Sequence, residues 1–212
     1  MMKGMEAISV VIIVGIIVSL VGTAYLWGVP IIQKRSTITE FGTAHALVSM
    51  IDNKITGIAN TKAGTETIDS SGKAIKVVPH NADDPDNNSI IIEFMVDQPM
   101  VTLGTPVYLD VESFEDVGTQ SGTYGISKPG IITLTEEVAG GKFRMRIKIH
   151  YRELDTKESP YRGYKILLET EDGEIKTGNR GIIISYEKDT VDSGSAENAG
   201  DLVLTHIKLE PI

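Results

Sequence analysis

The chain has 212 residues, 41% of them hydrophobic and 23% charged, with a formal net charge of -9 and no cysteine. The absence of cysteine excludes disulfides, thiolate metal sites and cysteine nucleophiles together, so a packed core must hold the protein, and ~150 residues suffice to build one. The acidic balance argues against nucleic acid as a general partner, because phosphate binding rests on Lys and Arg.

From Ala7 to Ile32 there is no charged residue. About 20 apolar residues cross a hydrocarbon core of ~30 Å as a helix, so the run is long enough to span a membrane. It is longer than the apolar region of a secretory signal peptide, and no A-x-A cleavage site follows it. Tyr25 and Trp27 stand near its end, where amphipathic rings favour the membrane interface, and Lys34 and Arg35 stop it. Gly15, Ser19, Gly22 and Thr23 place small residues three or four apart, a spacing that lets helices approach closely. The flanking charges, Lys3 and Glu6 on one side against Lys34 and Arg35 on the other, do not fix the orientation.

Pro30 removes a backbone donor and clashes one turn back, so a kink or short break is expected there. Beyond it, Thr37, Phe41, Ala44, Val48, Ile51, Ile55 and Ile58 recur at steps of four and three, the stripe of an amphipathic helix. Phe41, Val48, Ile51, Ile55 and Ile58 are its expected packing residues. The stripe must bury against the chain's own body or against neighbouring helices; most amphipathic helices cover their own core. His45 lies one position past the stripe, a structural place for a lone histidine.

After residue 63 the pattern changes to short apolar runs bounded by turn residues. Strands are expected near 66–69, 73–79, 89–96, 105–112, 131–135, 142–152, 163–171, 180–188 and 201–210. Eight or nine strands at that spacing, with no βαβ alternation, predict a sandwich or barrel. The fold class is therefore α+β: a long, Pro-kinked N-terminal apolar helix followed by an all-β domain. Residues 142–152 alternate strictly, with Phe143, Met145, Ile147, Ile149 and Tyr151 on the core face and Lys142, Arg144, Arg146, Lys148 and Arg152 on the other. A basic ribbon can meet nucleic acid, an anionic surface or a neighbouring subunit's acidic patch. A solvated face paired with acidic neighbours such as Glu169 and Glu171 fits the net charge better.

Asp83 to Asn88 concentrates oxygen ligands that suit Ca²⁺, but Ser89 and Met95 replace the glycine and bidentate glutamate of an EF-hand, so an acidic turn is the simpler reading. Asn87-Asn88-Ser89 is a glycosylation sequon if that loop lies outside the cell. Residues Thr190 to Asn198 read as an exposed loop. His45, His80, His150 and His206 have no ligand spacing, and no nucleophile elbow or phosphate-binding loop occurs. Neither catalytic residues nor a cofactor or metal are expected.

Met1-Met2-Lys3-Gly4, followed at once by Met5-Glu6-Ala7-Ile8 and the apolar run, resembles the class III signal peptides of archaeal pilins and archaellins. Gly22 to Gly28 also looks like the end of such helices. Glu6 departs from bacterial pilins, which commonly carry glutamate three positions further on, and the glutamine that leads mature archaellins is missing. The resemblance covers about the first 35 residues. It implies cleavage by a prepilin peptidase between Gly4 and Met5, with Lys3 as the leader charge, and a body outside the cell. The implied organisation is a leader at 1–4, an assembly helix and stalk at 5–62, and a β-sandwich outer domain at 63–212. Glu6, Ile8, Val11, Ile12, Gly15, Ser19 and Gly22 would serve helix assembly. The implied partners are copies of the chain, the peptidase, and an assembly ATPase with its membrane platform, with the membrane as host before assembly. The implied function is a filament subunit for adhesion, surface attachment or motility. The alternatives are a membrane-anchored accessory or surface-binding β-domain that does not polymerise, or an anchored enzyme.

Overall fold

A computed structural model describes residues 2–110, 121–171, 173–178, 180–197 and 199–212, with side chains from Val10 onward. The end of the strand expected at 105–112, and Asp172, Asn179 and Asn198 in the expected turns and loop, lie outside the described residues.

Helix α1 runs from Met2 to Thr61. At 1.5 Å per residue it is a rod of about 90 Å. It passes through Pro30 without a break. Thr61 ends it by turning its hydroxyl onto the Gly57 carbonyl at 3.0 Å, and Lys62 follows with a φ of 52°. The expected stripe is the buried face: Ala44, Val48, Ile51 and Ile55 are fully covered, Thr37 and Ile58 nearly so, and Phe41 is half-buried. Leu47 and Ala59 join them.

Twelve strands follow among the described residues. β1 (Thr65–Asp69), β11 (Gly181–Asp192), β12 (Asp201–Pro211), β9 (Arg162–Glu169), β8 (Glu153–Asp155) and β5 (Ser121–Thr123) form one sheet in that order. The other sheet is ordered β10 (Ile175–Lys176), β2 (Ile75–Val78), β3 (Ser89–Val96), β7 (Lys142–Tyr151), β6 (Gly130–Ala139), β4 (Val107–Leu109). Pairing is antiparallel except at β9 with β12 and β5 with β8. The fold is α+β, with a sandwich-like pair of sheets after one long helix. β6 and β7 meet at Gly140-Gly141, whose φ values of 61° and 80° supply the left-handed conformation that a two-residue hairpin turn requires.

The expected strand at 89–96 matches β3, and the alternation of 142–152 is β7, with Met145, Ile147, Ile149 and Tyr151 fully buried. β5, β8 and β10 were not expected; each is only two or three residues long. The strand expected at 180–188 continues to Asp192, so the expected loop at 190–198 begins later.

The core is one cluster drawn from α1 and both sheets. Ile90, Ile92, Ile147 and Ile149 of one sheet and Ile182, Ile184, Ile207 and Leu209 of the other share it with Val48, Ile51 and Ile55 of the helix. The second half of α1 is thus a core element of the body, and the cluster draws on both sides of residue 62.

Candidate functional site

The first half of α1 has no cover of its own. Fifteen large apolar side chains between Val10 and Ile32 are exposed, Trp27 by 75%. Burying such a side chain is worth about 1.5–3 kcal/mol, so covering the set is worth roughly 20 kcal/mol or more. That exceeds the whole stability of an ordinary domain, about 5–15 kcal/mol. The rod therefore requires a nonaqueous neighbour, and it is a candidate membrane anchor or signal sequence.

Of the expected assembly residues, Val11 and Ile12 are exposed apolar groups on this rod, and Gly15 and Gly22 leave open space where a side chain would stand. The Thr23 hydroxyl donates to the Ser19 carbonyl at 2.8 Å, which satisfies that hydroxyl within the helix. Lys3, Gly4, Met5, Glu6 and Ile8 fall within α1, but their side chains lie outside the described part.

The body grips the rod below this segment. Gln98 donates to Gln33 across 3.1 Å, and Lys73 pairs with Glu40. His45 Nε2 lies 3.0 Å from Asp110, which also accepts a hydrogen bond from Ser49, and the His45 ring stacks on Phe41. Further down, Lys54 pairs with Glu66 and Lys62 with Asp189. These flanking pairs are partly exposed and individually weak; together they fix the rotation of the helix.

The basic face of β7 pairs with acidic neighbours, though not with the expected ones. Arg146 and Lys148 both reach Asp86, Arg146 also approaches Glu93, and Lys142 meets Asp97 at 3.0 Å. Glu169 instead contacts His206 and His80, and Glu171 pairs with Lys208. Arg152 lies past the strand end and is buried, so it does not belong to the ribbon. Burial pushes the Asp86 carboxyl up, but hydrogen bonds from Arg146 and Lys148 outweigh it and hold the group below its usual value.

The oxygen ligands of the same loop have partners within the protein. Asp86 is committed to two cations, Asp84 accepts the Asp86 backbone N–H, and Asn88 is buried inside the body. Asn88 Nδ2 donates to Tyr151 O and Ile166 O, and its Oδ1 accepts from Leu168 N. Asn87, the sequon residue, is exposed. Among the described residues no three His, Asp or Glu side chains converge as a metal site. Of the remaining histidines, His150 is held below its usual value, first by burial and then by Lys148 and Lys165.

No family model, no curated protein and no solved structure matches this chain.

One polar group of α1 is buried against the body. Asp52 sits one turn from both Val48 and Ile55 and is buried with them. It fits because Gly130 has no side chain: a Cβ there would meet Asp52 Oδ1 at 2.2 Å. The Tyr151 hydroxyl faces this carboxyl, but neither that hydroxyl nor Asp52 Oδ1 reaches hydrogen-bond geometry with a described residue. Burial raises the Asp52 carboxyl above its usual value; Tyr151 and Lys128 oppose the rise and Asp110 adds to it.

Between pH 3.8 and the raised value, the folded state holds a proton that the unfolded state has released, so stability falls as pH rises. Asp52→Asn removes that ionisation and keeps the shape. The variant is expected to be more stable than the parent near neutral pH, with the difference vanishing below pH 3.8. Urea melts at the two pH values measure it.

Proposed function

We propose that this chain is a subunit of a type IV pilus-like filament, anchored in the membrane before assembly and displaying its β body outside the cell. The observation that carries the reading is the division of one helix into two environments. The half from Thr37 onward packs one face on the chain's own sheets, whereas the large apolar side chains from Val10 to Ile32 are almost all exposed. A rod of that kind is stable in lipid, and equally stable among sister rods, where close packing replaces lipid contacts. Small residues at 15, 19 and 22 allow that approach. The leader-like Lys3-Gly4 immediately before the apolar run supplies the release step: a peptidase cuts there and the helix stays on the mature chain. Assembly then needs copies of the chain, an ATPase and its membrane platform.

Mass spectrometry of the mature N-terminus, in cells that carry a prepilin peptidase, tests the proposal. The expected product begins at Met5, and an intact leader overturns it. Electron microscopy of the same cells separates the polymer from a non-polymerising anchored module: processed protein without filaments favours the second.

A further inference from the structure

A groove of about 630 Å³ opens in the body where the end of α1 meets residues 124–129 and strands β9 and β12. That volume suits a small organic ligand or a few units of a polymer. Two features mark its lining. Tyr124 and Tyr164 stack there with ring centroids 4.2 Å apart, and Tyr124 is half exposed. Three lysines line the groove, Lys62, Lys128 and Lys165, and among the described residues no carboxylate does. In a chain with 29 acidic and 20 basic residues that is a local reversal of charge. Lys62 is neutralised by Asp189 at 2.6 Å. Lys128 and Lys165 form no salt bridge among the described residues, although Lys128 also stands within electrostatic reach of the buried Asp52.

We propose that this groove binds an acidic oligosaccharide, a sugar chain carrying carboxylate groups. The electron-rich face of Tyr124 receives the C–H side of a sugar ring, whose hydrogens carry partial positive charge; the aromatic quadrupole favours that edge. Lys128 and Lys165 pair with the carboxylates by charge-assisted hydrogen bonds. Hydroxyl groups of the sugar meet the polar part of the lining, where Asn60 and Thr205 offer amide and hydroxyl partners. A flat stacked ring with flanking cations selects a ring-shaped anion over a simple phosphate, which has no face to stack. The site is built on one folded body, so its occupancy does not depend on filament formation.

Titration calorimetry of the full chain in detergent micelles tests this with oligogalacturonate as the probe and a maltooligosaccharide of equal length as the neutral control. The acidic sugar is expected to bind at least about tenfold more tightly than the neutral one, with affinity falling as salt rises. Tyr124→Ala is expected to weaken binding about tenfold while lowering the melting temperature by no more than about 5 °C through loss of the stack on Tyr164, and Tyr124→Phe keeps both. The pair Lys128→Gln and Lys165→Gln removes both the preference and the salt dependence. Absence of binding, equal affinity for both sugars, or undiminished binding by Tyr124→Ala overturns the proposal. Because unassembled subunits are used, none of these outcomes bears on polymerisation.

Discussion

A chain lacking residues 1–62 is expected to fail to fold cooperatively, whereas one lacking only residues 1–32 is expected to be soluble and to melt as a unit. The shorter deletion removes the exposed apolar rod and leaves the core cluster intact. The longer one strips Leu47, Val48, Ile51, Ile55 and Ile58 from that cluster. Five such side chains are worth roughly 10 kcal/mol of burial, comparable to the entire stability of a domain, about 5–15 kcal/mol. The loss does not end with the helix. Ile90, Ile92, Ile147, Ile149, Ile184 and Leu209 then face water from the inner sides of the two sheets. Ordering entropy saved by deleting the helix does not offset that exposure, because the sheets must still be ordered. Circular dichroism melts of the two truncations decide the matter, and a cooperative transition in the shorter product would contradict the core described above. Restoration by a peptide of residues 33–62 would show that the missing contacts, rather than chain length, are responsible.

Asn88→Ala is expected to cost about 3–5 kcal/mol, the largest effect of any single polar substitution in the body. The side chain makes three hydrogen bonds to backbone: to Tyr151 O at 3.1 Å in one sheet, and to Ile166 O at 2.8 Å and Leu168 N at 2.9 Å in the other. One buried amide thus joins the two sheets near the end of β7. Removing it leaves backbone groups buried without partners, each costing about 1–3 kcal/mol. The backbone adds a second term, since Asn88 has a φ of 54°, which asparagine tolerates better than alanine. Asn88→Gly separates the two: it relieves the backbone and still lacks the amide. We expect glycine to recover only about 1 kcal/mol of the loss, so that both variants melt about 10 °C or more below the parent. Near-full recovery by glycine would assign the effect to backbone strain.

These effects show which parts of the molecule the sequence exposes to inspection. The apolar run from Ala7 to Ile32 and the stripe from Thr37 to Ile58 are local patterns with a helical period, and both halves of α1 follow from them. β7 is equally local, because alternation over ten residues survives in any context, and β3 is legible as a short apolar run rich in β-branched residues. β5, β8 and β10 were not legible, since two or three residues carry no period and pair only because a neighbour is present. Charge pairing was half legible. Excess acid near a basic ribbon predicts ion pairs, but Asp86, 60 residues from Arg146, becomes the partner only when its loop closes over β7. Asn88 has the composition of a loop residue and Asp52 that of a helix surface; each is buried by elements far away in the chain.

The sequence by itself determined that one helix carries an uncharged apolar half and an amphipathic half, because hydrophobic periodicity is a property of neighbours along the chain. Only the tertiary structure decided what covers each half. Both sheets close on the amphipathic face and leave the apolar face bare, and the same closure brings Tyr124, Tyr164 and their lysines to one groove. That division arises because packing depends on contacts between residues tens of positions apart, for which composition and spacing carry no record.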